Sequence, residues 1–390
     1  MTTSAASKPR HTKRFTAVGG AALAVALLAG AATPAVAAPQ DRPEVRAAMQ
    51  AFVDAGLLGM QVRVHDERGD WTGSTGLREL GGTAKPSTDG RFRIGSSTKT
   101  FTATVVLQLV AEGRLGLDAP VADRLPRFGL DRRITTRMLL RHTSGLFNYT
   151  GDFAPDWTPV PGIPAVGKDW VENRFHTYRP DELVRVALAK GPRFEPGTGF
   201  RYSNTNYTVA GLLIEAVTGH SYADEVDRRV LRPLGLRGTV VPGAWSGLPG
   251  PFSRGYYRYQ DGDAWKVVDV TRQNPSLLFA AGDMISTTED LRKFFSALNS
   301  GKLLPAPLLA EMRVPEPTIG YGLGVFVQEL ECGTVLHHNG SPPGGYGSLM
   351  YSSPDGRQTL TASLTTGDAD IDVPTKFREL LPALVDAAFC

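Results

Sequence analysis

Ser96 and Lys99 stand three residues apart in the run Gly95-Ser96-Ser97-Thr98-Lys99, where a β-like stretch gives way to a helical one. At a helix start that spacing puts both side chains on one face, one turn apart. A serine hydroxyl is a poor nucleophile until a neighbouring base takes its proton. A lysine can be that base only if it spends time neutral, which burial or nearby cations promote. The helix N-terminus also aims backbone N–H groups at an oxyanion forming on the serine. Taken alone the four-residue pattern is weak, and its inert alternative is a serine and a lysine on a solvated first turn.

Two further clusters raise its weight. Tyr202-Ser203-Asn204 offers a phenol that can relay a proton to a leaving group. It also offers an amide, Asn204, able to fix the Lys99 ammonium and donate to a substrate amide. By itself this is a loop tyrosine before a helix. His338-Asn339-Gly340-Ser341 closes a predicted strand. Gly340 permits close approach of a substrate backbone, and the N–H of Ser341 can complete an oxyanion hole with the N–H of Ser96. His337 and His338 are neighbours on a strand, so they point to opposite faces and cannot share a metal. No metal site and no cofactor are expected.

The elements that must position these groups divide the chain. Pro43 to Leu57 has helical spacing, with Asp41 placed to cap it and Pro43 early. Residues 61–64 and 71–75 alternate about a Glu67-Arg68-Gly69-Asp70 turn, a hairpin. Arg91 to Ile94 reads as a third strand, and a helix follows from Ser97 to Gly113. The middle is rich in Gly and Pro, with firm helices at Pro180–Ala189 and Tyr207–Val217. Short strands return at 323–328, 333–338, 345–351 and 358–364, and 371–389 closes as an amphipathic helix. The expectation is an α/β (α+β) fold, an antiparallel sheet flanked by terminal helices. Residues 39–113 and 285–390 form its sheet domain, with a mostly helical lobe, 114–284, inserted.

Residues 1–38 read as an export signal: Lys8, Arg10, Lys13 and Arg14, then an apolar stretch to Ala32, then the small-x-small Ala35-Val36-Ala37. Its removal takes four basic residues from a formal charge of +3, leaving about −1. No basic patch for nucleic acid survives, and no later segment is apolar enough to span a bilayer. A secreted, cell-wall-space location follows from this reading. Without a surplus apolar stripe or coiled-coil heptad, a monomer is expected. The two cysteines, Cys332 and Cys390, read most simply as one disulfide in an exported protein; two unpaired buried thiols are the alternative.

The three clusters occur in the order S-x-x-K, Y-S-N, H-N-G, roughly a hundred residues apart. This resembles the serine β-lactamase and penicillin-binding protein superfamily, whose set is S-x-x-K, S-D-N and K-T-G. Within it, the chain is most similar to the class C branch, and there to the soluble exported D-alanyl-D-alanine carboxypeptidases, whose third motif begins with histidine. The resemblance extends through Arg93-Ile94-Gly95, His142-Thr143-Ser144-Gly145-Leu146 and Tyr321-Gly322-Leu323-Gly324. It implies Ser96 as nucleophile, with Lys99 and Tyr202 sharing base and acid duties. It further implies Asn204 on the substrate amide, His338 in the pocket, Phe153 beside the substrate peptide, and a Cys332–Cys390 bridge. The expected activity is a D-Ala-D-Ala carboxypeptidase on peptide or β-lactam-like substrates, with esterase, D-amino-acid peptidase and β-lactamase as alternatives.

The specificity residues depart from that pattern. Those carboxypeptidases receive the terminal carboxylate with an arginine where this chain has Phe326, and no Lys or Arg occurs from Val314 to Gly356. A carboxylate there loses its charge-assisted partner. Leu277 stands where a pocket tryptophan is expected.

Overall fold

The computed structural model describes residues 41–154 and 158–390, so the export-signal reading of residues 1–38 lies outside the described residues. The chain enters through helix α1 (Pro43–Asp54), with Pro43 at its first turn. Asp41 does not cap it; its Oδ1 accepts from the Arg42 N–H at 3.0 Å and from Arg46 Nε at 2.7 Å. The hairpin β1 (Leu57–Asp66) and β2 (Gly69–Gly76) follows. Helix α2 (Thr98–Ala111) carries the S-x-x-K turn. Its threonines and valines are mediocre helix formers, but eleven of its fourteen residues are buried, and tertiary burial overrides propensity. Thr102 and Thr104 return their hydroxyls to the carbonyls of Thr98 and Thr100.

Helices α3 (Pro180–Ala189), α4 (Asn204–Thr218) and α5 (Thr288–Asn299) come next. Helix α4 starts three residues before the sequence pattern suggests, so Asn204 is its first residue, and Gly219 at φ 76° ends it. The middle region is less uniformly helical than expected. It contains a hairpin, Tyr256–Asp261 with Ala264–Asp269, whose alternating aromatics carry a strand signature that the sequence reading passes over.

Strands β3 (Phe326–Leu330), β4 (Gly333–His337), β5 (Tyr346–Ser352) and β6 (Thr359–Thr366) precede the closing helix α6 (Val373–Phe389). First and last strands meet in one six-stranded antiparallel sheet of order β2-β1-β6-β5-β4-β3. The third early strand does not join it; Phe92–Arg93 pairs instead with Ile285–Ser286. Side chains alternate as a pleat requires. Val335, Leu349 and Tyr351 pack toward α1 and α6, while Leu336 and Met350 pack toward α2 and α5. Cys332, in the β3–β4 turn, is disulfide-bonded to Cys390 at the end of α6, with Cα atoms 5.6 Å apart.

Candidate active site

The turn before α2 is built for close backbone contact. Gly95 takes φ 47°, and a Cβ there would lie 2.8 Å from the Ser341 nitrogen. A Cβ on Gly340 would lie 1.9 Å from the Ile94 carbonyl oxygen. Gly340 therefore makes room for the protein's own Ile94–Gly95 backbone, and it also lines the cavity that opens from this site. Serines fasten the junction. Ser97 Oγ donates to the His338 carbonyl at 2.9 Å, and Ser348 Oγ donates to the Ile94 carbonyl at 2.8 Å. The S-x-x-K turn is thereby held against the start of the H-N-G segment, with the Ser341 backbone beside Gly95.

Lys99 is fully buried. Its Nζ lies 3.0 Å from Ser96 Oγ, 2.8 Å from Asn204 Oδ1 and 2.7 Å from the Ala281 carbonyl. The last two atoms only accept, so they take two of the three N–H directions. The third direction meets Ser96, and a deprotonated Lys99 presents its lone pair there. Burial holds the amine well below its usual range. Its Nζ also sits 4.8 Å from the centroid of the Tyr202 ring. The Tyr202 phenol is hydrogen-bonded to Ser96; burial pushes it up while that bond pulls it down.

Tyr202 is placed by a histidine that the sequence reading quoted but gave no role. The His142 and Tyr202 rings are 4.2 Å apart. His142 Nδ1 accepts from the Ser203 N–H at 3.2 Å and faces Asn206 Nδ2, which only donates, at 3.1 Å. Its proton therefore sits on Nε2. The imidazole is pushed well below its normal range by burial first, then by Lys99 and His338.

His338 is buried within 6.5 Å of the Tyr202 ring, centroid to centroid. Its Nδ1 meets the Asn339 carbonyl at 2.8 Å and so donates, leaving Nε2 to accept from Tyr321 Oη at 3.1 Å. Both nitrogens are thus engaged within the protein. Burial, helped by Lys99, holds the ring's pKa down at about 3. His338 is a neutral group, hydrogen-bonded at both nitrogens within the protein, and it lines the cavity.

A cavity of about 530 Å³ opens from this cluster and is lined by Ser96, Tyr202, Phe326, His338, Asn339 and Ser341 among others. His337 lines it too, although neighbouring strand residues should diverge. Strand β4 stops at His337, and the cavity wraps around its end. Phe326, His337 and Tyr351, directly opposite one another in the sheet, stack at 5.0 and 4.6 Å. Burial puts His337 at about 4. Among the described residues, no Lys or Arg lines this cavity. Phe153 stands apart: the short hairpin Asp152–Phe153 with Pro159–Val160 holds it 45 % exposed, outside the cavity lining. Leu277 is buried elsewhere, beneath the Tyr149 hydroxyl.

A serine in hydrogen-bond contact with both a buried lysine and a buried tyrosine marks a serine hydrolase of the β-lactamase fold. Residues 45–380 match the family described as "Beta-lactamase", and the chain belongs to that family. Among curated relatives, penicillin-binding protein 4* of Bacillus subtilis is 30% identical over 74% of this chain and 63% of its own length. The chain spans between 44% and 63% of the length of the first such relatives it matches. Among solved structures, a D-stereospecific amidohydrolase from Streptomyces is 39% identical, covers 90% of this chain and 99% of its own, and has a TM-score of 0.78. A D-amino acid amidase from Ochrobactrum anthropi, complexed with D-phenylalanine, is 26% identical over 88% and 98%, with a TM-score of 0.75. Among the described residues no helix is long and apolar enough to cross a membrane.

Proposed function

We propose that the protein is an exported D-stereospecific amidohydrolase whose preferred leaving group carries no carboxylate. Lys99, neutral in its dry site, takes the Ser96 proton as Oγ attacks the acyl carbon. The N–H groups of Ser96 and Ser341 receive the oxyanion. Tyr202, kept protonated by burial, gives its proton to the leaving amine as the C–N bond breaks; its phenolate then takes a proton from the attacking water, and Lys99 returns to Ser96 Oγ the proton it took as the ester is hydrolysed. Asn204 Oδ1 holds Lys99 in register while its Nδ2 donates to Thr150 Oγ1 at 3.4 Å.

The observation carrying this reading is the wall of the cavity. Phe326, which stands where the sequence resemblance puts an arginine, lines it; no cation lines the space among the described residues, and burial keeps both histidines there neutral. Placing a carboxylate in such a site costs several kcal/mol. D-configuration is supported by the amidohydrolase and amidase relatives.

A D-Ala-D-Ala carboxypeptidase is the second reading, favoured by the penicillin-binding relatives and the Cys332–Cys390 bridge. Parallel assays separate the two. Hydrolysis of D-phenylalanine amide over its L-enantiomer, with no D-alanine released from a diacyl-Lys-D-Ala-D-Ala peptide, is expected. Faster release of D-alanine than of ammonia would reverse the order.

A further inference from the structure

The cavity is larger and more apolar than the release of ammonia requires. Ammonia is about the size of a water molecule, roughly 30 Å³, against about 530 Å³ here. Beyond the strand end the lining changes character, to Leu57, Leu364, Val373, Pro374 and Phe377. The two leucines belong to the core between the sheet and the terminal helices, and the other three lie on the first turns of α6. This annex therefore sits on the opposite side of the sheet from α2, reached around the ends of β4 and β5.

Gly347 is what keeps the passage open. It lines the cavity on β5. A Cβ there would meet Leu364 Cδ1 at 3.5 Å and the Gly340 carbonyl at 3.9 Å, both ordinary contacts. Unlike Gly340 and Gly95, this glycine relieves no clash; its missing side chain is empty space. At the border stands Asn339, whose Nδ2 donates to the Tyr351 hydroxyl at 3.0 Å while its Oδ1 is buried without a partner. A buried acceptor in this state calls for a donor. Phe326 and His338 mark this as the side of Ser96 on which Tyr202 lies, and Tyr202 serves the leaving group.

Resting on the amidohydrolase reading, we propose that the annex under α6 is a subsite for a bulky, uncharged apolar substituent on the leaving amine. The scissile N–H passes Asn339 Oδ1, and the hydrocarbon crosses Gly347 to lie between Leu364 and Phe377. The substrates this favours are secondary amides of hydrophobic amines rather than primary amides or free peptides.

The test keeps the D-phenylalanyl group constant and varies the amine through methyl-, butyl- and 4-phenylbutylamine. In the wild type, kcat/KM is expected to rise about fourfold per methylene over the first few carbons, the size of methylene burial. Gly347→Val, which fits strand geometry, should cut the phenylbutyl-to-methyl ratio at least tenfold. Phe377→Trp, which narrows the annex from the α6 side, should cut the same ratio by a second route should the glycine variant fold poorly. A flat dependence on amine length in the wild type, or a dependence on the acyl group alone, overturns the subsite while leaving the amidohydrolase reading intact. Hydrolysis of none of these amides, nor of D-phenylalanine amide, overturns that reading instead.

Discussion

Tyr321 Oη and His338 Nε2 lie 3.1 Å apart, both groups buried, and the hydrogen on that contact belongs to the tyrosine. The Asn339 carbonyl already takes the proton of His338 Nδ1. On the far side, the Tyr207 hydroxyl donates to the Leu140 carbonyl at 2.8 Å and lies 3.3 Å from Tyr321 Oη. The chain of hydroxyls fixes one tautomer of His338 and keeps a second positive charge away from Lys99. Tyr321→Phe removes the donor and leaves Nε2 free to bind a proton. The expected result is a kcat lowered about tenfold, one buried hydrogen bond's worth, with the acid limb of the rate profile moved to lower pH, because a charged His338 lowers the Lys99 pKa further. An unshifted limb in that variant would show that Tyr321 only fills space.

Lys99 sets the acid limb in the wild type. Its amine must be neutral to accept the Ser96 proton, so activity rises with pH through the Lys99 pKa and falls on acidification. Burial places that pKa well below 10.5. His142, His338, Tyr202 and Tyr207 are the titratable groups around it, and the two histidines are neutral at the working pH. A kcat profile in which His338→Asn leaves the acid limb in place supports Lys99 as the group titrating there.

Ser96→Ala is expected to abolish acylation, and Lys99→Ala to slow it by several decades, because members of such a unit act together. Lys99→Arg should fare no better, since a guanidinium does not surrender its proton. Intact-mass measurement after exposure to a penicillin or an aryl ester reads this directly. Near-normal acyl-enzyme formation in Lys99→Ala removes Lys99 from the mechanism.

Acid stability follows from the same histidines. His337 and His338 have folded pKa values of about 4 and 3, against 6.5 when unfolded, and His142 is also well below 6.5. Below pH 6.5 the unfolded chain binds protons that the folded one refuses. Stability is therefore whole above that pH and lost as pH falls toward 4. Each histidine contributes up to about 1.4 kcal/mol per pH unit in that window. Urea titrations at pH 7.5 and pH 5 should show the drop, and His337→Asn should reduce its slope.

The Cys332–Cys390 bridge closes a segment of sequence separation 58. In the chain-entropy account this stabilises the fold by about 4 kcal/mol. Replacing both cysteines by serine should lower the melting temperature, and should relax α6, which carries Phe377. A larger fractional loss with the phenylbutyl amide than with the methyl amide is the expected kinetic trace.

Much of this protein was legible before any coordinates, and for local reasons. Three residues of spacing place Ser96 and Lys99 on one helical turn whatever surrounds them. Alternation over 61–64 and 71–75 and the strand signals after residue 320 mark the sheet, and Pro180 and Gly219 punctuate their helices. Tertiary structure decided what depends on distant partners. Whether Lys99 is dry, which His338 nitrogen holds the proton, and how closely Gly340 meets Ile94 are set by contacts between residues tens to hundreds of positions apart. Phe153 is expected beside the substrate from the resemblance, and only the tertiary structure gives its half-exposed setting on a short hairpin. The annex could not be read at all, because Leu57, Gly347, Leu364 and Phe377 become neighbours only when sheet order and helix docking bring them together.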